Sequence, residues 1–504
     1  MGKIIKINSL INILKKNKLK KIALSHGVFD LLHHGHLRHF DEVKKKCDIL
    51  IVSITVDKFV KKGNGRPFFK IKDRIYALSK LNNIDYIVES NDYSAVNIIK
   101  IIKPDLYCKG PDYKDIYKDR SKKILAEKKT VEKYKGKLFF TSEITSSSSK
   151  LINSEYVFGN YQLEFLKRIK KKFNVASLEN FLNDITNKKV TLIGETIIDQ
   201  YTELSVLNKS GKESVLNYSK KNDDQYLGGI LSVANNVSEF VNRLNLLSYI
   251  GNNKEHISLI NKNLKKNITP KFVKKRGAPT IVKQRFIDQY SNRKILGIYD
   301  LDDNYLDKFS EKFFIENIKK IEKNSLVLLF DYGHGLFTPK IVSQLNKRKD
   351  LYKSLNCQLN SSSIGLHSVQ NYKNSFLITM NGSEMRHEMR NKNSNVIDLM
   401  YKFSKNITSR YFMVTMGKQG TILYDKLKNK TFNCPGFASS IVDKTGAGDS
   451  MIPIISLGLE YGIDEEVALL LGSIFASETI KHNANKNILE KDKLLDLFET
   501  MLKV

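Results

Sequence analysis

Short apolar runs separated by amphipathic stretches recur in two series along this chain. In the first, KIALSH (21–26), DILIVSIT (48–55), DYIVES (85–90) and DLYCKG (105–110) are each short, apolar and bounded by polar or turn-forming residues. Each predicts a buried strand, and the amphipathic residues between them predict helices. The second series starts at KVTLIGE (189–195) and runs through LNLLSYIG (244–251), SLVLLFDYG (325–333), SFLITMN (375–381) and YFMVTMG (411–417), then enters an apolar helix after Gly448. Strands alternating with helices are the pattern of a parallel α/β sheet. No repeat of solenoid period is visible. The expected fold is therefore α/β, with two Rossmann-like, doubly wound parallel-sheet domains. The expected boundaries are a basic lead over 1–20, a first domain over 21–152, a linker or helix over 153–188, and a second domain over 189–504. Glycines stand where strands hand over to loops, the place where open parallel sheets put their ligands.

Composition changes this picture little. With 41% hydrophobic and 27% charged residues the chain is ordinary globular material. The net charge of +31 stands out. It admits nucleic acid, an anionic membrane or phosphorylated substrates as partners, but the lysines are spread from end to end with no polybasic block. Compositional drift explains such a spread as well. Four cysteines, Cys47, Cys108, Cys357 and Cys434, form no CxxC pair, which fits a reducing compartment. No apolar run approaches the roughly 18 residues of a membrane span, and a cytoplasmic location with no membrane partner is expected.

The chemistry concentrates in two places. Residues 20–40, KKIALSHGVFDLLHHGHLRHF, pass from a strand through Gly27 into a helix start carrying His33-His34-Gly35-His36. His33 and His36, three apart, project from one side of that start. Gly35 allows close backbone approach, and the helix N-terminus adds N–H groups and the positive end of its dipole. Neutral imidazoles there can donate to phosphate oxygens. Half of the ten histidines fall between His26 and His39, so a metal site is the rival functional reading, and core or capping histidines are the bland one.

The spacing Gly27-x-Phe29-Asp30-x-x-His33-x-Gly35-His36 resembles the cytidylyltransferase-like nucleotidyltransferases, over residues 21–152. The resemblance implies that Gly27, Phe29, Asp30, Gly35, Arg74, Lys109, Ser147 and Ser148 bind nucleotide and phosphate. It also implies that His33, His36 and the mobile Lys61, with Lys62 as a possible substitute, serve the transfer. Thr55-Val56-Asp57 looks like the family's strand-end acid. Arg66-Pro67 and Arg74 look like its next helix opening, and Lys109-Gly110-Pro111-Asp112-Tyr113 like KGxDY. Ser146 to Ser149 stand where the family carries Ser-Thr-Thr. Bringing two polyanions together needs positioning and charge neutralisation, with Mg²⁺, rather than a covalent nucleophile.

The second place is Asp443-Lys-Thr-Gly-Ala-Gly-Asp449, ahead of an apolar helix. A glycine turn at a helix start collects N–H groups for an anion, and a carboxylate in the same turn can take a proton from an attacking hydroxyl. Asp449 is the candidate base, and Gly446, Ala447 and Gly448 the anion hole. A plain capping turn is the bland alternative. The segment resembles the ribokinase-like (PfkB) carbohydrate kinases over about 189–504. That resemblance implies substrate contacts from Asp199, Gly228, Gly229, Lys283 and Arg285, a nucleotide loop at Thr415, Gly417 and Gly420, and an indirect Mg²⁺ role for Asn381 and Glu384. Asp331-Tyr332-Gly333-His334-Gly335 is similar to its DYxxG strand end. Ser232 replaces an expected Asn, and an Asp-Pro-Lys ahead of Asn381 is missing.

Together the halves resemble the bifunctional heptose kinase/nucleotidyltransferase (ADP-heptose synthase) family, here with the transferase first and the kinase second, the reverse of that family's order. The resemblance implies ATP (or CTP at the transferase site) with Mg²⁺, a sugar phosphate as small-molecule partner, transfer of AMP in preference to CMP, no nucleic acid, and a homodimer. Three readings stand open: a two-activity sugar-nucleotide enzyme, an active transferase with a regulatory kinase-like domain, and a basic nucleic-acid-binding protein.

Overall fold

The computed structural model describes residues 2–17, 19–60, 67–111, 123–142, 158–209, 215–252, 254–291, 293–358, 368–438, 441–481 and 488–503. It divides into two compact units, Met1–Leu163 with Glu499–Val504, and Glu164–Phe498.

In the first unit the described strands are β1 (Lys3–Ile4), β2 (Ile22–Gly27), β3 (Ile49–Thr55), β4 (Tyr86–Ser90), β5 (Leu106–Lys109) and β6 (Lys137–Phe140). They form one parallel sheet in the order β1-β4-β3-β2-β5-β6. Side chains alternate across it with the period of two that a strand imposes. Ile49 and Ile51 join one core with Leu24, Ile99 and Tyr107, and Leu50, Val52 and Ile54 join the other with Ala23, Phe40 and Leu78. A sheet covered on both faces needs apolar residues at every position, which is why β3 is buried throughout. Chain order runs outward from β2 in both directions, so the switch point lies between β2 and β5, at Gly27 and Lys109.

The stretch expected as a basic lead is part of this unit. Lys3–Ile4 pairs with β4, and the helix Ile7–Lys16 buries Leu10 completely and packs Ile7 and Leu14 on the same core. Its apolar residues recur at helical spacing, and the intervening lysines and asparagines face water.

The second unit carries two sheets. The larger contains β7 (Val190–Gly194), β10 (Leu244–Ile250), β11 (Ile268–Lys274), β14 (Leu326–Asp331), β15 (Tyr352–Cys357), β16 (Ser375–Asn381), β17 (Ser409–Thr415), β18 (Thr421–Asp425) and β19 (Lys430–Cys434). Its order is β11-β10-β7-β14-β15-β16-β17-β18-β19, parallel up to β17 and antiparallel beyond. The switch point lies between β7 and β14. Helices Ala447–Tyr461 and Glu465–Thr479 are buried almost all round, as their near-continuous apolar sequences require. Residues 164–184, within the expected linker, bury Phe165, Leu166, Ile169, Leu178, Phe181 and Leu182, and Phe181 meets Tyr461 edge-on at 5.3 Å.

The parallel α/β class holds for both units, but the second has an addition that the strand pattern does not announce. Strands β8 (Thr196–Lys209), β9 (Leu216–Gly228), β12 (Ile281–Asp288) and β13 (Lys294–Asp300) form a separate sheet in the order β13-β12-β8-β9, with antiparallel outer pairs. Strand β8 starts buried and ends exposed, β9 is largely polar and exposed, and β13 (KILGIYD) is apolar yet exposed along its whole length, so none shows the pattern of a continuously buried strand. Among the described residues no helix is long and apolar enough to cross a membrane.

Candidate functional site

At the first switch point the strand-to-helix turn is tightly specified. Phe29 holds a left-handed backbone, φ +48°, which costs an L-residue energy and persists only where surroundings enforce it. Its ring lies over Gly27, where an added Cβ would meet it at 3.1 Å, and packs edge-on to His36 with centroids 5.5 Å apart. Gly27 is thus a glycine to seat an aromatic ring. Asp30 accepts from the backbone N–H groups of Phe68 and Phe69 at 2.9 and 3.0 Å, so its carboxylate ties down the loop ahead of the next helix.

His33 is the N-cap of the helix His34–Lys44, its Nδ1 accepting from the Gly35 N–H at 3.1 Å. That bond sets the tautomer, because an accepting Nδ1 leaves the proton on Nε2 as an outward donor. Burial, then the neighbouring His34, lowers the His33 pKa and keeps the ring neutral at pH 7. His36 stacks on His33 with ring centroids 4.0 Å apart. Two imidazoles and a helix N-terminus therefore share one end, an arrangement able to take an anion. On the buried side His39 bridges Ser25 Oγ and Thr141 Oγ1, and burial pushes its pKa down to about 4. Among the described residues no group of three or more His, Cys, Asp or Glu side chains is placed to hold a metal ion.

Two cations expected on phosphate are turned inward. Arg74 is 1% exposed and donates to Phe69 O, Val28 O, Thr55 O and Asp57 Oδ1 at 2.5 to 3.0 Å. Its guanidinium stitches the turn at Phe29 to the strand end at Thr55-Asp57 and is not spare for a ligand. Lys109 stands 3.6 Å from the buried Glu127, which also accepts from the Tyr107 hydroxyl. A planar fork of five donors suits a junction of carbonyls as well as it suits phosphate, and sequence cannot separate the two uses. Lys61, Ser147 and Ser148, with Lys62, Arg66, Asp112 and Tyr113, lie outside the described residues.

The second switch point gathers side chains from distant stretches. Gly446 adopts φ +78° as N-cap of the helix Ala447–Tyr461, and no side chain caps it; the Ala447 N–H donates to Lys444 O at 3.4 Å, and the Gly448 N–H follows in the same uncapped first turn. Asp449 follows in that turn, half-buried. Loss of water around its carboxyl pushes its pKa up to about 7, against the Tyr332 hydrogen bond and Lys283, which pull it down, and with Glu384 and Asp199, which push it up. Asp199 accepts from Arg285 at 2.5 Å, and Lys283, two residues along β12, feels Asp199, Glu195 and Asp449. Burial is the largest influence on Lys283 and lowers its pKa. A Cβ on Gly228 would come 2.2 Å from Asp199 Oδ2, and Gly229 has φ +48°, so both glycines are required by the space Asp199 occupies and by the turn. Ser232, in place of the expected Asn, is buried in the helix Gly229–Val237.

Asn381 and Glu384 form a reciprocal capping box at the helix Gly382–Glu388. The box uses the Asn381 side chain and one Glu384 oxygen, and Glu384 remains near enough to Asp449 to raise its pKa. Thr415 ends β17, and Gly417 and Gly420 take φ +59° and +97° in the tight loop to β18, where a Cβ on Gly420 would meet Cys434 O at 2.0 Å.

Several participants lie outside the predicted site residues. Asn356 and Gln358, at the end of β15, both donate to Asp449. Glu195 is fully buried beside Asp331 and accepts from the N–H groups of Tyr332 and His334, which fixes the loop bearing Tyr332. Burial, then the Asp331 charge, raises the Glu195 pKa. Lys294 of β13 reaches Asp443 at 2.7 Å and Thr445 at 3.0 Å, and Tyr201 of β8 donates to Asp443 at 2.9 Å, so the smaller sheet grips the loop ahead of the anion turn.

Comparison with known proteins separates the two units. The pfkB family of carbohydrate kinases matches residues 187–492, and the cytidylyltransferase-like family residues 24–154. Over the transferase-like region, Bifunctional protein HldE of Helicobacter acinonychis (strain Sheeba) is 40% identical across 115 residues, 22% of this chain and 25% of that protein. Bifunctional protein HldE of a Nitratiruptor species is 41% identical across 97 residues, 19% and 21% of the two chains. The match thus takes in about a quarter of those relatives' length. Phosphofructokinase-2 from Escherichia coli, crystallised with potassium, superposes with a TM-score of 0.51 over 62% of this chain and 99% of its own, at 14% identity, which shows a shared fold.

Proposed function

The chain belongs to the pfkB family of carbohydrate kinases, with a cytidylyltransferase-like domain ahead of the kinase domain, and from that premise we propose that it carries out two steps of sugar-nucleotide synthesis. The second domain phosphorylates the anomeric hydroxyl of a heptose-type sugar phosphate with ATP. The first transfers a nucleotidyl group, AMP in preference to CMP, from an NTP to a sugar 1-phosphate and releases pyrophosphate.

In the kinase step the sugar hydroxyl gives its proton to Asp449 as its oxygen forms a bond to the γ-phosphorus and the bond to the ADP oxygen breaks. The helix start at Gly446 to Gly448 receives the charge on the moving phosphoryl group. A pKa near 7 suits a group that must be ionised to accept this proton yet basic enough to take it. Asp199, Lys283 and Arg285 offer one acid and two cations for the hydroxyls and phosphate of the substrate. Glu384, held in place by its capping box with Asn381, would supply a hard oxygen ligand suited to holding a hydrated Mg²⁺ indirectly, and that ion would neutralise phosphate charge.

In the transfer step a phosphate oxygen of the sugar 1-phosphate attacks the α-phosphorus and pyrophosphate leaves. His33 Nε2–H and His36 donate to the triphosphate beside the helix N-terminus. The observation that carries the proposal is the pairing of a neutral, helix-capping His33 with His36 in one unit and Asp449 in a glycine turn that no side chain caps in the other. The test incubates the protein with each NTP and a panel of sugar phosphates and follows pyrophosphate and ADP separately. Release of both supports the two-step reading, and ADP release from no sugar phosphate would leave the transferase alone.

A further inference from the structure

Three side chains from two strand ends converge on the carboxylate of Asp449. The Tyr332 hydroxyl donates to Oδ2 at 3.0 Å, and Asn356 Nδ2 and Gln358 Nε2 donate to Oδ1 at 2.8 and 2.9 Å. Each donor is itself held. The Thr379 hydroxyl proton is shared between Leu355 O at 3.0 Å and Asn356 Oδ1 at 3.2 Å, an arrangement in which the amide nitrogen of Asn356 faces Asp449. The Gln358 backbone N–H continues the sheet ladder by donating to Asp331 O at 2.9 Å. The Tyr332 N–H is tied to Glu195 Oε2 at 3.0 Å.

An ionised carboxylate offers about four lone-pair positions, two on each oxygen. Two amides fill those on Oδ1, and among the described residues Oδ2 accepts from the tyrosine alone. The two oxygens are therefore inequivalent. We propose that Asn356 and Gln358 are positioning residues of the phosphoryl-transfer site, which with Tyr332 lock the Asp449 carboxylate and leave one lone pair of Oδ2 as the acceptor of the sugar hydroxyl proton. The inference rests on the kinase reading above. It adds a division of labour: Oδ1 is the anchored oxygen, and Oδ2 is the reacting one. Rotation of the carboxylate would break both amide hydrogen bonds to Oδ1, so the lone pair aimed at the substrate is not averaged over orientations.

The other groups whose charge acts on Asp449 are Lys283, Asp199 and Glu384, and none of them is altered in the test. Wild-type protein is first assayed for ADP release over a panel of sugar phosphates, and then Gln358→Ala, Gln358→Glu and Asn356→Asp are compared with it, each checked by thermal unfolding. Gln358 is half-buried and tolerates exchange, so it keeps the test informative should the buried Asn356 not. The expected result is a kcat lower by about 10- to 100-fold with KM for sugar phosphate and ATP within about twofold. In Gln358→Glu the acid limb of the kcat profile should also move to higher pH, because a donor to the carboxylate is lost and a negative charge gained. Folded variants with kcat within about twofold of wild type, or a loss carried by KM instead, would overturn the assignment. Wild-type protein that turns over no sugar phosphate would overturn the kinase reading itself, and the assignment with it.

Discussion

The two phosphate sites solve the same electrostatic problem with opposite architectures. At the transferase site Gly27, Phe29, Asp30, His33, Gly35 and His36 belong to one ten-residue turn, and each supports its neighbours: Phe29 seats on Gly27, His33 caps the helix, His36 stacks on His33. At the kinase site Glu195, Asp199, Lys283, Tyr332, Asn356, Glu384 and Asp449 come from six separate stretches and are assembled by two sheets. A site built within one turn carries its geometry in its own sequence. A site built across a fold depends on the packing that brings its parts together. Cations follow the same division, since Arg74 and Lys109 at the first site serve as internal ties, whereas Lys283 and Arg285 at the second face the candidate acids.

The largest effect expected from breaking this comparison is at Asp449. Asp449→Asn keeps the shape and removes the base, so phosphoryl transfer should fall by about 10²–10⁴ while pyrophosphate release at the other site is unchanged. In the wild type only the ionised carboxylate can accept the proton. Sugar phosphorylation should therefore rise with pH to a half-maximal point near the Asp449 pKa of about 7, as a pH profile of kcat/KM would show. Next comes His36→Ala, which should lower nucleotidyl transfer by about 10²–10³ with ADP release intact. Loss of both activities together would mean the sites are not independent.

Arg74→Ala sharpens the contrast between ties and ligands. It strips hydrogen bonds from the Val28, Phe69 and Thr55 carbonyls and leaves Asp57 without its guanidinium, so the first unit should lose roughly 3–5 kcal/mol in denaturant unfolding. A fully stable variant with a raised KM for NTP would return Arg74 to the phosphate. The smallest effect concerns Lys353, 1% exposed, with Leu345 O as acceptor, whose pKa burial pushes down to about 8. The unfolded chain binds more protons between about pH 8 and the ordinary lysine value of 10.5, so stability gained from deprotonation appears as pH rises through that window and is absent below it. Lys353→Met should accordingly stabilise the second unit by about 2–3 kcal/mol at pH 7 and by less toward pH 10, read from Cm at constant m.

Sequence legibility follows the same contrast. The parallel strands of both sheets and the turn from Gly27 to His36 are visible in the chain because buried strands must be continuously apolar and the turn's parts are contiguous. The sheet formed by β8, β9, β12 and β13 is not, because its strands are exposed over much of their length, β13 although it is apolar, so burial does not dictate their pattern. The lysine-rich start looks like a tail, since lysine counts obscure the helical spacing of Ile7, Leu10 and Leu14. Arg74 and Lys109 stand out as cations, yet whether a cation faces a ligand or a carbonyl is decided by neighbours up to 83 residues away, as Lys109 and His26 show. Asn356 and Gln358 escape notice because an amide on a strand end is common, and only the fold brings them within 3 Å of Asp449.

His33 has a consequence for how this protein can change over time. Its Nδ1 terminates a helix, and the proposed transfer gives Nε2 a second task as donor to phosphate, so a single side chain answers to two demands. Serine, asparagine or aspartate would satisfy the first demand, and lysine or arginine the second. None answers both with a neutral ring of the same reach. Drift at this position therefore has no intermediate step: any single exchange forfeits either the folding of the first helical turn or the donor beside it.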